Sequence, residues 1–355
     1  MHDLTSMTSH LSFLHADWEL TIPIETWDTP PYTNSRLTRL EGQTIPIIGR
    51  QFFIVPATAT TPESTQIHTS ELSDARLLKV GDIELKDEAR MTILAHHVFE
   101  TINASASYPS PKIPRVHAFI HLPESQNGLL LDYIHGPNVS PLSTLWQDLS
   151  STQHNAIKDQ LCDILFKMRR FSFEYIGRPG REPYTLPSIF GPIKHRFCFG
   201  LDAMKEWNDS RKDAIDKNEA LDEGHRNSLR QQQIELARAR GTKERFVLTH
   251  GDLSDRNILV DSSSDPPRII ALIDWETANV LPTYFEYVAA RLSGGHDPYW
   301  RKALLEVLEG VLQKECKETG DEFQKELSRW KGLVDVERHA QGLNDDCAWT
   351  FESEE

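Results

Sequence analysis

A chain of 355 residues with 39% hydrophobic and 26% charged side chains is long enough for two lobes and too apolar for a disordered tract. Its 38 Lys and Arg against 53 Asp and Glu leave a formal charge of −15 with no basic block, which excludes nucleic acid as a partner. Apolar runs such as residues 128–134 are far too short to span a bilayer, so no membrane partner is expected either.

Residues 1–45 mix polar side chains with Trp18, Trp27 and the Pro30–Pro31 pair and read as a short helix followed by loop. Strand-like runs follow at 44–49, 51–57 and 75–81, with the Thr/Ser/Pro-rich loop 58–66 between them. From Leu85 the pattern turns helical, with Leu85, Ala89, Thr92, Ile93 and His96 on one face. Residues 111–122 look like a strand entered through prolines, and 128–134 like a buried strand. Beyond Gly136–Pro137 helical periodicity dominates, at 152–171, through the charged stretch 201–240, and again at 297–331. Between the last two lie a strand at 244–250 and two further apolar runs, ILVD and RIIALIDW, which flank SSSDPP as a β-hairpin. The expected organisation is a nucleotide-binding lobe over 1–131 with 1–45 as an irregular extension, a hinge at 132–136, and a helical lobe over 137–355.

One short loop carries most of the chemistry. In LTHGDLSDRNILVD, His250, Asp252 and Asn257 are crowded between apolar runs, and Asp274 closes the second hairpin strand. A hairpin folds its far end back on its start, so Asp274 is expected close to Asn257 and Asp252. Grouped carboxylates repel one another and are costly to bury unpaired, and a divalent cation relieves both costs. Asn and Asp oxygens are hard ligands suited to Mg²⁺. The alternative is a simple turn network with Asp274 as a helix cap. Four spaced positions joined by a hairpin make that the weaker reading.

The five-residue step from Asp252 to Asn257 matches the H-R-D-L-x-x-x-N loop of protein kinases. HGDLSDRNILVD followed by IDWETA and LPTYFEYVAA resembles the aminoglycoside phosphotransferase and choline kinase family, and among its members a fungal group most of all. The close match covers residues 245–290, with looser similarity from 75 to 330. The resemblance implies an α+β, two-lobed protein-kinase-like fold with a small β-rich first lobe and a larger helical second lobe. It implies ATP and Mg²⁺ as cofactors, Asp252 as catalytic residue with His250 orienting the loop, and Asn257 and Asp274 as metal ligands. It further implies that Lys79 holds the α/β-phosphates and pairs with Glu88, for which Glu84 and Glu100 are the competing carboxylates. By the same analogy the Asp132 carbonyl and the Ile134 N–H meet adenine. No G-x-G-x-x-G precedes Lys79, which departs from the protein-kinase pattern.

Other polar features have plainer readings. His96 and His97 suggest packing, Glu276 an acceptor-facing carboxylate, and Glu286 a structural one. Residues 190–200 read as a packed loop, Asp345 and Asp346 as a solvated tail, and Trp349 and Phe351 as its anchors. Cys162, Cys198, Cys316 and Cys347 form no C-x-x-C pair, and the N-terminal residues lack the apolar core of a signal peptide, so a cytoplasmic protein is expected. The expected function is ATP-dependent transfer to a hydroxyl of a small molecule, and the net charge favours a cationic, amine-bearing metabolite or antibiotic. A catalytically silent nucleotide-binding or regulatory protein is the alternative. Protein phosphorylation is disfavoured because no A-P-E-like segment follows Asp274. The sequence leaves the oligomeric state open.

Overall fold

Side-chain alternation along the first strands decides which groups face the first helix. The computed structural model describes residues 11–28, 38–39, 51–55, 75–81, 85–105, 110–187, 192–240 and 244–343. The strand expected at 44–49, the loop at 58–66 and the tail residues Asp345, Asp346, Trp349 and Phe351 lie outside them. Strands β1 (Ile24–Thr26), β2 (Thr38–Arg39), β3 (Gln51–Val55), β4 (Arg76–Gly81), β5 (Val116–His121) and β6 (Asn127–Asp132) make a six-stranded sheet in the order β1-β5-β6-β4-β3-β2. Every pair is antiparallel except β1 beside β5. Leu78, Val80 and Leu130 point to one face with Phe53 and Ile120. Leu77, Leu129 and Leu131 point to the other, against Leu85 and Ala89 of helix α1 (Leu85–Ser105). With a side-chain period of two, Lys79 shares the face of Leu77 and is presented to α1.

Two differences from the sequence expectation have clear causes. The N-terminal segment, expected as a short helix and then loop, holds among its described residues a single 3-10 turn at Ser12–Leu14 and then the strand β1. All three β1 residues are exposed, so no apolar alternation marked it; backbone pairing with the β5 edge makes the strand. Helix α1 is not one-sided either. Leu85 and Ala89 pack on the sheet, while Met91, Leu94, Ala95, Val98 and Phe99 enter the core of the second lobe. A helix sandwiched between two layers is apolar nearly all round and shows no single stripe. His97 packs in a ring cluster with Phe13 and Trp18, in keeping with the packing role read from the sequence.

The second lobe comprises β7 (Val139–Pro141), α2 (Ser151–Met168), four two-residue strands β8 (Tyr175–Ile176), β9 (Thr185–Leu186), β10 (Ile193–Lys194) and β11 (Cys198–Phe199), then α3 (Ala203–Lys217) and α4 (Glu223–Arg240). Next come β12 (Phe246–Thr249), β13 (Ile258–Asp261), β14 (Arg268–Leu272) and β15 (Asn279–Pro282), followed by α5 (Phe285–Leu292), α6 (Pro298–Thr319) and α7 (Phe323–Ala340). Helix α2 starts at a capping box in which Ser150 and Gln153 satisfy each other's amides. The helical stretch expected at 297–331 is two helices, because α6 ends at Gly320 with φ of 76°. Helices α3 and α4 are not wholly solvated, since Trp207, Arg211 and Ile215 are buried. Arg211 reaches Glu337 of α7 and the Tyr184 hydroxyl. Among the described residues no helix is long and apolar enough to cross a membrane.

Two ladders set the site. The β12–β15 ladder places Thr249 opposite Asn279, and the β13–β14 hairpin places Ile258 opposite Leu272. The loop 250–257 and the turn after β14 therefore open at the same end. Phe99 of α1 meets Trp275 of that turn at 6.4 Å between ring centroids. Truncating a buried Phe removes transfer energy and leaves a cavity, so Phe99→Ala is expected to cost ~3–5 kcal/mol. A lower urea midpoint at unchanged slope would verify it.

Candidate active site

Lys79 is the electrostatic centre. Its side chain is only 3% exposed, and its ammonium lies 2.8 Å from Glu88 Oε2, 2.8 Å from Asp274 Oδ1 and 3.1 Å from Glu276 Oε2. These groups come from β4, from the first turn of α1 and from the turn after β14. Of the competing glutamates, Glu88 is the one that reaches Lys79; Glu100 lies beside His96 and His97, and Glu84 is outside the described residues. Glu276, read from the sequence as an acceptor-facing carboxylate, meets the Lys79 ammonium. Among the described residues Glu88, Asp274 and Glu276 form the cluster in which carboxylate oxygens, all within 4.8 Å of one another, are placed to hold a metal ion. One ammonium among three carboxylates leaves excess negative charge and hard oxygen donors, a set that fits Mg²⁺.

Asp274 has φ of 64° and ψ of 67°, a left-handed conformation that non-glycine residues adopt at a cost. It starts a 3-10 turn, Trp275–Thr277, whose fully buried indole lies 4.5 Å from the His250 ring. The Ile273 N–H donates to the Asn257 carbonyl at 3.0 Å. The hairpin thus brings Asn257 alongside the residue preceding Asp274.

The loop 250–257 is held from below. The His250 and Gly251 amides donate to the Glu286 carboxylate at 2.6 and 3.0 Å, consistent with the structural role expected of Glu286. Burial raises the Glu286 pKa against the opposing pull of His250 and those amides. His250 Nε2 is 3.0 Å from the Ile273 carbonyl, which can only accept, so this nitrogen carries the proton. Its Nδ1 accepts the Asp252 amide at 3.3 Å. With both ring nitrogens engaged, His250 orients the loop. Gly251 has φ of +80°, and a Cβ there would come within 2.9 Å of the Thr277 carbonyl.

Asp252 receives two side-chain donors. Asn257 Nδ2 meets its Oδ2 at 3.1 Å and its backbone carbonyl at 2.9 Å, and His296 Nε2 meets its Oδ1 at 2.9 Å. Burial pushes the Asp252 pKa up, but the His296 hydrogen bond and the charges of His296, His250 and Arg256 outweigh it and hold the carboxyl below its ordinary value. His296 was missed from sequence. Its side chain is 1% exposed, and it sits between the Gly294–Gly295 pair and the α6 N-cap Asp297. A lone histidine packed between a flexible pair and a helix start is the signal available there, and it carries no address. Asp252 also lines a cavity of about 370 Å³ walled by residues of β9, α5 and the 293–295 loop.

The expected hinge residues end the sheet's central strand. Asp132 pairs with Arg76, its carboxylate is tied to His117 at 2.6 Å and to the Arg115 amide at 3.0 Å, and the Tyr133 amide donates to the Ala75 carbonyl. The Ile134 N–H has no hydrogen-bond partner among the described residues.

A family model described as the phosphotransferase enzyme family, APH, matches residues 75–322. The chain belongs to this family. Its two-lobed α+β, kinase-like architecture is the family's fold, and the protein is a phosphotransferase. No curated protein sequence matches it. Among solved structures it is similar to a thermostable mutant of the aminoglycoside phosphotransferase APH(4)-Ia, at 17% identity over 90% of this chain and 93% of that one, with a TM-score of 0.47. The ternary complex of such a mutant with AMP-PNP and hygromycin B matches at 17% identity over 89% and 90%, TM-score 0.46. The GDP complex of wild-type aminoglycoside 2'-phosphotransferase-IIIa matches at 14% identity over 78% and 82%, TM-score 0.45.

Two outcomes follow for this phosphotransferase. Gly251→Ala meets both a strained φ and the Thr277 carbonyl, and is expected to destabilise by ~1–3 kcal/mol in chemical denaturation. His296→Ala removes the main group that lowers the Asp252 pKa while leaving the carboxylate in place. Carboxyl ¹³C NMR titration should then show the Asp252 pKa moving up; an unmoved value would mean the His296 contact is electrostatically idle.

Proposed function

We propose that this phosphotransferase moves the γ-phosphoryl group of ATP, held with Mg²⁺, to a hydroxyl of a small molecule. The observation that supports it most directly is the buried Lys79 ammonium shared by Glu88, Asp274 and Glu276, beside the loop that presents Asp252 to a cavity. Phosphoryl transfer asks little covalent chemistry of the protein; positioning and charge neutralisation supply most of the acceleration.

Lys79 binds the α- and β-phosphates, and Glu88 fixes its position. The Asp132 carbonyl and the Ile134 N–H hold the adenine edge at the junction of the lobes, with residues 1–131 before the 132–136 hinge and 137–355 after it. Asn257 and Asp274 would hold the Mg²⁺, with Glu276 of the same carboxylate cluster beside Asp274, and the ion would offset phosphate charge. Asp252 orients the acceptor hydroxyl and takes its proton as the acceptor oxygen bonds to the γ-phosphorus. The bond from that phosphorus to the β–γ bridging oxygen breaks, and ADP leaves. The lowered pKa keeps the Asp252 carboxylate ionised, so that it accepts the hydroxyl's hydrogen bond and orients it, at some cost in basicity. We place it in the cytoplasm, a reducing compartment that suits the buried thiols of Cys162 and Cys198.

The test is transfer of labelled γ-phosphate from MgATP into a pool of small-molecule alcohols. Asp252→Asn should reduce turnover by ~10²–10⁴-fold, the range of a general base. Asp274→Ala should abolish the Mg²⁺-dependent part of ATP affinity. ATP affinity that ignores both Mg²⁺ and Asp274→Ala would favour a silent binding protein, and no ATP binding at all would sink the proposal.

A further inference from the structure

Resting on that reading, we infer that the acceptor is an alcohol on a predominantly apolar skeleton, neutral or anionic, and not a polycation. The cavity beside Asp252 holds about 370 Å³, within the range of small-molecule sites. Leu186, Leu281, Phe285 and Leu292 supply its walls. Among the described lining residues Asp252 is the only carboxylate and Arg256 the only cation.

The single carboxylate is already shared between two donors, and its remaining lone pairs are those that meet the acceptor hydroxyl. Its Oδ1 already meets His296 and its Oδ2 meets Asn257. Arg256 is exposed, and its guanidinium donates to the Gly295 carbonyl at 3.1 Å, which fixes a positive charge at the cavity edge. An ammonium buried there would meet apolar walls and a like charge, and burying an unpaired charge is among the costliest events in recognition. The molecule's net charge of −15 does not by itself relieve this, because among the described residues the neighbouring acids are committed elsewhere. Glu276 and Asp274 serve Lys79, and Glu286 serves the loop amides. Apolar walls with one hydroxyl-facing carboxylate and one rim guanidinium instead suit a body that gains by leaving water, with its hydroxyl at Asp252 and any carboxylate substituent at Arg256.

The experiment uses the full chain loaded with MgAMP-PNP and measures calorimetric binding of three probes at concentrations up to millimolar. They are 2-naphthaleneethanol, its analogue carrying a carboxylate, and the polycation kanamycin. Both naphthyl alcohols should bind with a negative heat-capacity change and roughly tenfold or more tighter than kanamycin. Ala289→Trp, which fills the cavity from α5, should weaken both by roughly tenfold. Arg256→Glu, a change at an exposed side chain that leaves the core intact, should weaken the carboxylate analogue more than the neutral alcohol. Kanamycin binding more tightly than the alcohols, absence of alcohol binding, or alcohol binding indifferent to Ala289→Trp would each overturn the inference and leave the phosphotransferase reading standing. Failure of MgAMP-PNP itself to bind would remove the reading on which the inference rests.

Discussion

A buried ammonium has to be paired, and in this protein that requirement joins the two lobes. Lys79 faces α1 because strand alternation leaves it no other side, and once there it cannot remain without counter-charge. One partner comes from its own lobe, through Glu88. The others, Asp274 and Glu276, come from a turn nearly two hundred positions away in sequence. The same pairing gathers the carboxylates of the candidate metal site. Fold stability and site assembly are therefore one arrangement seen twice, with the left-handed Asp274 and the buried Trp275 wedge as its supports.

The loop between β12 and β13 follows the same logic at shorter range. It must leave one carboxylate accessible while its backbone turns sharply under cover of two packed layers. Glu286 satisfies two consecutive amides from beneath, His250 bridges the loop to the end of β14, and Gly251 allows the close approach to Thr277. These internal bonds leave the Asp252 carboxylate, itself held by Asn257 and His296, at the cavity wall. The rigidity this gives is what positional catalysis requires.

Charge shows why a global count misleads locally. A net −15 suggests attraction for cations everywhere, yet carboxylates near the site are bound to Lys79, to backbone amides or, through Asp87, to Arg178 and Arg90. Among the described residues that line the cavity beside Asp252, apolar side chains, the neutral Thr185, Thr277, Ser293 and Gln341, and one guanidinium remain. Recognition depends on the groups left unpaired after folding, and composition does not reveal which those are.

Much of the fold and part of the site was legible in advance. Lys79, Glu88, Asp252, Asn257 and Asp274 could be read because their spacing is tied to short-range geometry: strand alternation, the first turn of a helix, and a hairpin that returns on itself. The strand β1 could not, because its three exposed residues owe their conformation to the β5 edge and not to their own pattern. The double burial of α1, the turn of Glu276 towards Lys79, and the arrival of His296 at Asp252 from 44 positions downstream were equally hidden. The sequence by itself determined the elements and the set of chemical groups, since local periodicity and spacing are properties of neighbouring residues. Only the tertiary structure decided which polar groups neutralise one another and which stay open to a ligand, because that depends on packing between segments far apart in the chain.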